Sequence, residues 1–206
     1  MVNDGSTPPR TAPAVDQTAA RLAPRILATS PRLGGCRLVC VDGPAGSGKT
    51  TLADAVVRRL EAEPSVEVEL LHMDDVYDGW RGLGTGMTTV SASVVEPLRA
   101  GRVGRYRRFD WHRNAFAEDH TVRPVDVLVV EGVGSGGSSY ADATSLLVWV
   151  AAPPVVRLRR GLERDGEQLR DHWLAWRDVE ESLFTRERTR ERADVVVDGV
   201  TGAIVG

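Results

Sequence analysis

Gly43-Pro44-Ala45-Gly46-Ser47-Gly48-Lys49-Thr50 matches the spacing G-x-x-x-x-G-K-[ST] in full, with an apolar run before it and a helix-like pattern after it. The chemistry this spacing serves is phosphate binding. Glycines allow a tight bend that turns backbone N–H groups inward onto phosphate oxygens. A helix opening at Gly48 adds the positive end of its dipole. Lys49 is placed to reach the β- and γ-phosphates of ATP and the Thr50 hydroxyl to bind Mg²⁺, with Thr51 next to them in the first turn. The chain holds 26 basic residues, and Lys49 is the single lysine among them. An ammonium and a planar guanidinium are not interchangeable, so this position stands apart from the arginines. A second metal contact comes from Val127-Leu128-Val129-Val130-Glu131, an apolar strand that ends in an acid. Glu131 is expected near the Mg²⁺, through water.

Moving a γ-phosphoryl group onto an alcohol also needs an in-line hydroxyl, a carboxylate to take its proton, and cations on the developing charge. Asp74 and Asp75 follow the end of an apolar run. In open α/β sheets, ligands bind beyond the carboxyl ends of the strands, which is where these acids would stand. They also suit the capping of a turn. Tyr77 and Trp80 are candidates for the wall of an acceptor pocket, or for packing beneath a loop. Asp110, Trp111, His112 and Arg113 combine an acceptor, an aromatic plate and two donors. A solvated hairpin approached by Arg102, Arg105, Arg107 and Arg108 is the plainer reading of that segment. Arg157, Arg160 and Arg164 are spaced three and four apart, so they share one helical face. They are candidates to clamp a phosphate or stack on adenine; with Glu163, Asp165 and Glu167 they also make an ordinary charged surface.

The elements that must position these residues alternate between two periods. Apolar runs at 37–42, 66–73, 125–130, 146–151 and 193–197 read as strands. Helical spacing covers 15–29, interrupted by Pro24, then 48–61, 91–100 with Pro97, 153–165 and 169–192. Strands that are apolar throughout, separated by helices, indicate a parallel sheet covered on both faces. Residues 1–14, proline-rich and weakly apolar, are expected to form a disordered arm, and 15–206 a single domain.

With these pieces in place, the chain resembles the uridine kinase group of P-loop kinases, which includes phosphoribulokinases and bacterial pantothenate kinases. Beyond the phosphate loop, Asp74-Asp75-Val76-Tyr77 is similar to the group's D-x-F-Y. Phe109-Asp110-Trp111-His112-Arg113 is similar to its Y-D-F segment followed by a basic residue. Residues 157–165 are similar to its R-L-x-R-R-x-x-R-D lid. The resemblance spans about residues 36–200. It implies a three-layer P-loop NTPase fold of the small-molecule-kinase type, with a five-stranded parallel sheet, ATP and Mg²⁺ as cofactors, and a lid at about 157–168. It implies Asp74 as general base, with Asp75 the rival. Lys49, Arg160 and Arg164 would stabilise the moving phosphoryl, and Arg157 and Arg160 would join residues 43–51 on the nucleotide. Tyr77 and Asp110 to Arg113 would meet the acceptor beside Asp74. The chain departs from the pattern at Gly166-Glu167, where the group has a further arginine pair, and at Phe109, where uridine kinases have a tyrosine. The loop at 79–89, with glycines at 79, 82, 84 and 86, is also unlike a nucleoside pocket.

Composition narrows the remaining classes. The formal charge is −3, so the broad basic surface of a nucleic-acid-binding protein is not expected. No apolar run approaches the roughly 18 residues of a membrane helix, and the N-terminal residues have no signal-peptide core, so a cytoplasmic location is expected. Cys36 and Cys40 lie in C-x3-C, which is not zinc spacing. The N-K-x-D element that reads guanine in GTPases would need a second lysine. The expected activity is an ATP-dependent transfer to a small-molecule alcohol, by a monomer or homodimer. A nucleoside-monophosphate kinase, whose acceptor phosphate residues 102–113 would grip, is the alternative enzyme. A nucleotide-binding regulatory module with slow ATPase activity is the alternative outside transfer chemistry.

Overall fold

Residues 12–206 are described by a computed structural model. Five of its strands are β1 (Arg37–Asp42), β2 (Val68–His72), β5 (Val127–Glu131), β6 (Thr144–Ala151) and β7 (Val195–Asp198). They build one parallel sheet in the order β2-β5-β1-β6-β7. The strands are apolar on both sides because both faces are covered. Val39, Val41, Val127, Val129, Val148 and Val150 pack with Leu52, Val56 and Leu60 of α2 (Lys49–Glu61) and with Ala19, Leu22 and Ile26 of α1 (Ala12–Ala28). Leu38, Cys40, Leu128, Val130 and Leu147 face the other core. That core is closed by a helical stretch made of α3 (Leu83–Thr89), a π-helical turn (Val90–Val95) and α4 (Glu96–Arg99). Trp176 and Leu183 of α6 (Arg170–Glu187) complete it.

Several boundaries differ from those read in the sequence, for local physical reasons. The arm expected over 1–14 is shorter at its C-terminal end: positions 12–14 form the first turn of α1, and the rest of it lies outside the described residues. Pro24 sits inside α1 without ending it, because Val15, Ala19, Leu22, Ala23 and Ile26 bury one continuous face. Thr18 Oγ1 also ties this helix to the Gly202 carbonyl. Pro97 lies in α4, directly after the π-helical turn, and does not end the helical stretch. The helix expected over 169–192 breaks at Arg188, φ 51°, and resumes as α7 (Thr189–Arg192). Thr189 at that break is buried.

Two further strands stand apart from the main sheet. Strand β3 (Gly104–Asp110) pairs antiparallel with β4 (Ala115–Val122). Their turn is held by Asp110 Oδ1, which accepts the N–H groups of His112 and Arg113 at 2.9 and 3.0 Å. The remaining long helix, α5 (Pro154–Asp165), follows β6, and Gly161 gives it close contact with Trp173 of α6. A Cβ at Gly161 would lie 2.4 Å from the indole ring. Among the described residues no helix is long and apolar enough to cross a membrane.

Candidate active site

The central strand β1 runs directly into the phosphate loop, and the sheet order places β5 on one side of it and β6 on the other. Asp42, the last residue of β1, is fully buried. Its carboxylate accepts the N–H groups of Gly43, Gly134 and Gly136 at 2.6, 2.9 and 2.8 Å. Burial pushes its pKa up to about 6 against the lowering by these three bonds. Asp42 thereby fastens the entry of the loop to the segment after β5. Gly43 and Gly46 have φ of 142° and 75°, and neither has room for a side chain. A Cβ would stand 2.2 Å from the Val150 carbonyl oxygen at Gly43, and 2.5 Å from the Arg157 carbonyl oxygen at Gly46. Lys49 is buried, and its Nζ donates to the Pro44 carbonyl at 3.1 Å.

The strand ends set the acids against this loop. Parallel register aligns His72 of β2 with Glu131 of β5 and Glu131 with Val41 of β1. Glu131 is buried. Its Oε1 accepts from the Thr50 hydroxyl at 3.1 Å and from His72 Nδ1 at 2.7 Å. That bond to Glu131 raises the His72 pKa despite partial burial. Asp74 lies just beyond β2, in a short turn spanning Met73–Asp75. Its side chain meets solvent, while the cleft walls withhold much of the surrounding water. That desolvation raises its pKa; the Glu131 charge raises it further, and Lys49, Arg164 and His72 oppose the shift. Asp75 is likewise raised by desolvation; the charge of His72 opposes the shift most, followed by Arg108 and His120 of the hairpin, while Glu118 adds to it. Both acids feel His72; Asp74 alone also answers to Lys49, Glu131 and Arg164, and Asp75 to the charges of the hairpin.

The site fits Mg²⁺ and a nucleoside triphosphate. Glu131 Oε2 and Ser47 Oγ are buried without a hydrogen-bond partner. Glycines at 43, 46 and 48 leave the bends of the loop without side chains, and the Lys49 ammonium lies against its backbone. Among the described residues no three His, Cys, Asp or Glu converge as a metal centre. Mg²⁺ commonly takes one or two protein oxygens and completes its shell with phosphate and water, so Thr50 and Glu131 suffice.

The arginines of α5 separate into distinct environments. Arg157 is not over the cleft: its Nη1 donates at 2.6 Å to Glu180 Oε1 of α6. Glu180 is buried, and its Oε2 accepts the Ala45 N–H at 2.8 Å. Arg160 Nη1 donates to the carbonyls of Gly46 and Ser47, both at 3.4 Å, and of Gly199 at 3.0 Å. Carbonyls are the groups a phosphate loop turns away from its anion. Arg157, through Glu180, and Arg160, through the loop carbonyls, thus brace the backbone of the loop. The first turns of α5 carry Arg157 and Arg160 against the loop. Arg164 differs, since Asp74 and Glu131 both act on its charge. Its guanidinium pairs with Asp165 at 2.6 Å and lies over the Trp173 ring, 5.8 Å from the centroid.

The expected acceptor residues separate in the same way. Tyr77 is fully buried and donates its hydroxyl to the Val133 carbonyl at 2.6 Å. It packs on Trp176 and leaves no room for a side chain at Gly86, so it belongs to the core and not to a pocket wall. Asp110 holds the hairpin turn, and His112 and Arg113 are exposed there. Trp111 is the hairpin residue that reaches the site: its Nε1 donates to the Asp74 carbonyl at 2.9 Å. It meets Trp80 edge-on at 5.7 Å, and Trp80 stacks on His172 at 5.3 Å with Trp173 and Trp176 around it. Thr51 is exposed in the first turn of α2. Asp42, His72 and Glu180 have no motif of their own. Only the polarity of Asp42 and His72 at the ends of apolar strands could have drawn attention to them.

No family model matches the chain. It is 28% identical over 144 residues to uridine kinase-like protein 3 of Arabidopsis thaliana, covering 62% of this chain. It is 29% identical over 105 residues to tRNA dimethylallyltransferase of Bifidobacterium animalis subsp. lactis, covering 46% of this chain. The chain spans 30% of the length of each of these curated relatives. Among solved structures, a possible uridine kinase from Bacillus stearothermophilus superposes with a TM-score of 0.65 at 21% identity. That match covers 88% of this chain and 98% of the other. The three-layer fold expected from the resemblance to the uridine kinase group is thus the fold observed, and that resemblance is borne out at the level of architecture.

Proposed function

We propose that this chain is an ATP-dependent small-molecule kinase that transfers the γ-phosphoryl group to an alcohol. The observation that carries the reading is the meeting of Lys49, the Thr50–Glu131 pair and Asp74 at one edge of the sheet. The kinase names among its likenesses add support. Bound ATP supplies the phosphoryl group, and Mg²⁺ supplies charge neutralisation on its oxygens.

The chain's own residues divide the remaining work. Amides of residues 46–50 hold phosphate oxygens, and Lys49 leaves the Pro44 carbonyl to follow the developing charge. Thr50 and Glu131 hold the metal side. Asp74 orients the acceptor hydroxyl and takes its proton. Arg164, on the part of the proposed lid that reaches the cleft, adds positive charge opposite Asp74. Trp111 and Trp80 form the acceptor wall, with His112 and Arg113 at its solvent edge. Closing that edge limits transfer to water.

The test is ADP release from Mg·ATP with nucleosides, nucleoside monophosphates, pantothenate and small sugars. We expect one class to stimulate release, and Lys49→Ala to abolish the stimulation. Absence of Mg·ATP binding by the unaltered protein would overturn the reading.

A further inference from the structure

The Pro44–Ala45 peptide is held from both sides. Its carbonyl accepts from Lys49 Nζ at 3.1 Å, and its N–H donates to Glu180 Oε2 at 2.8 Å. One peptide plane therefore lies between the loop's ammonium and a buried carboxylate that comes from α6, 135 residues further along the chain. Rotation of this plane would move the Pro44 carbonyl away from Lys49 and turn the Ala45 N–H away from its acceptor.

A carboxylate next to a phosphate loop repels the anion the loop is built to hold. Here Arg157 Nη1 meets the second carboxylate oxygen at 2.6 Å, and both partners are largely shielded from solvent. The guanidinium offsets the negative charge, so the hydrogen bond to Ala45 reaches the loop without the full repulsion. Glu180 also feels the Lys49 charge across the loop. Trp173 and Trp176, on the same helix and buried, fix where the Glu180 side chain starts.

We infer that Glu180 is a positioning residue for phosphoryl transfer, acting through the Pro44–Ala45 peptide to set the phosphate loop and the resting place of Lys49, with Arg157 as its charge partner. This rests on the phosphate-loop reading above. A plain structural ion pair is the competing account, and the two differ in what happens when the pair is replaced by apolar residues. Exchanging a buried pair for well-packed apolar side chains is commonly tolerated by the fold.

The test compares Arg157→Met/Glu180→Gln with Arg157→Met/Glu180→Met. Neither variant carries charge at these positions, and both lack the guanidinium. They differ in whether an oxygen remains for the Ala45 N–H. Mg·ATP affinity by calorimetry and thermal midpoint are read on both and on the unaltered protein. We expect the Gln variant to bind Mg·ATP at least fivefold more tightly than the Met variant, with midpoints within a few degrees. A smaller affinity difference overturns the inference. Should the Met variant fail to fold, Arg157→Met/Glu180→Leu, equally without a side-chain oxygen, takes its place against the Gln variant under the same fivefold criterion. If the unaltered protein does not bind Mg·ATP, the phosphate-loop reading falls and takes this inference with it. Binding by the unaltered protein together with equal binding by both variants removes the inference alone.

Discussion

At the scale of single residues, Asp74 and Asp75 adjoin in sequence and part in space. Asp74 is drawn into a group with Glu131, Lys49 and Arg164, while Asp75 answers to His72 and to charges on the hairpin. A general base must be ionised to accept a proton, and desolvation with the Glu131 charge shifts Asp74 toward its neutral form. The sign follows: transfer is fastest above the raised Asp74 pKa and declines as pH falls through it. The acid limb of kcat/KM should therefore lie above the position of an ordinary carboxylate, which a pH–rate profile measures. Asp74→Asn should lower kcat by about 100-fold or more and remove that limb, in line with the usual size of general-base effects. Asp75→Asn should leave the limb in place. The resemblance of residues 74–77 to D-x-F-Y puts Asp74 ahead of its neighbour as the base, yet Tyr77 itself points into the core. A ring two residues beyond a chain turn can face either way, and the sequence carries no sign of which.

At the scale of elements, the five strands, the phosphate loop and the acid at the end of β5 were legible, since each is a contiguous pattern. What was not legible depends on segments that meet only after folding. Arg157 and Arg160 share a helical face, but which surface that face covers is set by the course of α5 behind Gly46. Glu180 looks like one more acid in an Arg/Glu-rich helix until the Ala45 amide is found against it. Asp42 is the same kind of case, a strand-end acid whose three amide partners include two from residues 134 and 136. Replacing it with alanine leaves those buried N–H groups without an acceptor. Asp42→Ala should destabilise the protein by about 3 kcal/mol, the order expected for unsatisfied buried donors, and chemical denaturation would measure it. The loss should exceed that for Asp110→Ala, whose partners lie in an exposed turn.

At the scale of the whole molecule, the sheet divides the interior into two cores with different duties. The core under α1 and α2 backs the helix that follows the phosphate loop, and the core under α3, α4 and α6 carries Tyr77 and Trp176 up to the aromatic cluster around Trp80. A basic composition made almost wholly of arginine leaves this architecture with one side-chain amine, and the fold places it inside the phosphate loop against the Pro44 carbonyl. That coincidence makes the protein its own single-site chemical reporter. An acylating reagent selective for amines has one side chain to modify, Lys49, and modification there removes the cation that the proposed function assigns to the nucleotide. Mass spectrometry of the labelled chain should show this one side-chain adduct forming slowly and Mg·ATP slowing it further; equal labelling with and without Mg·ATP would place the nucleotide elsewhere. Site occupancy can thus be counted by mass, on the unaltered protein, before any acceptor is known.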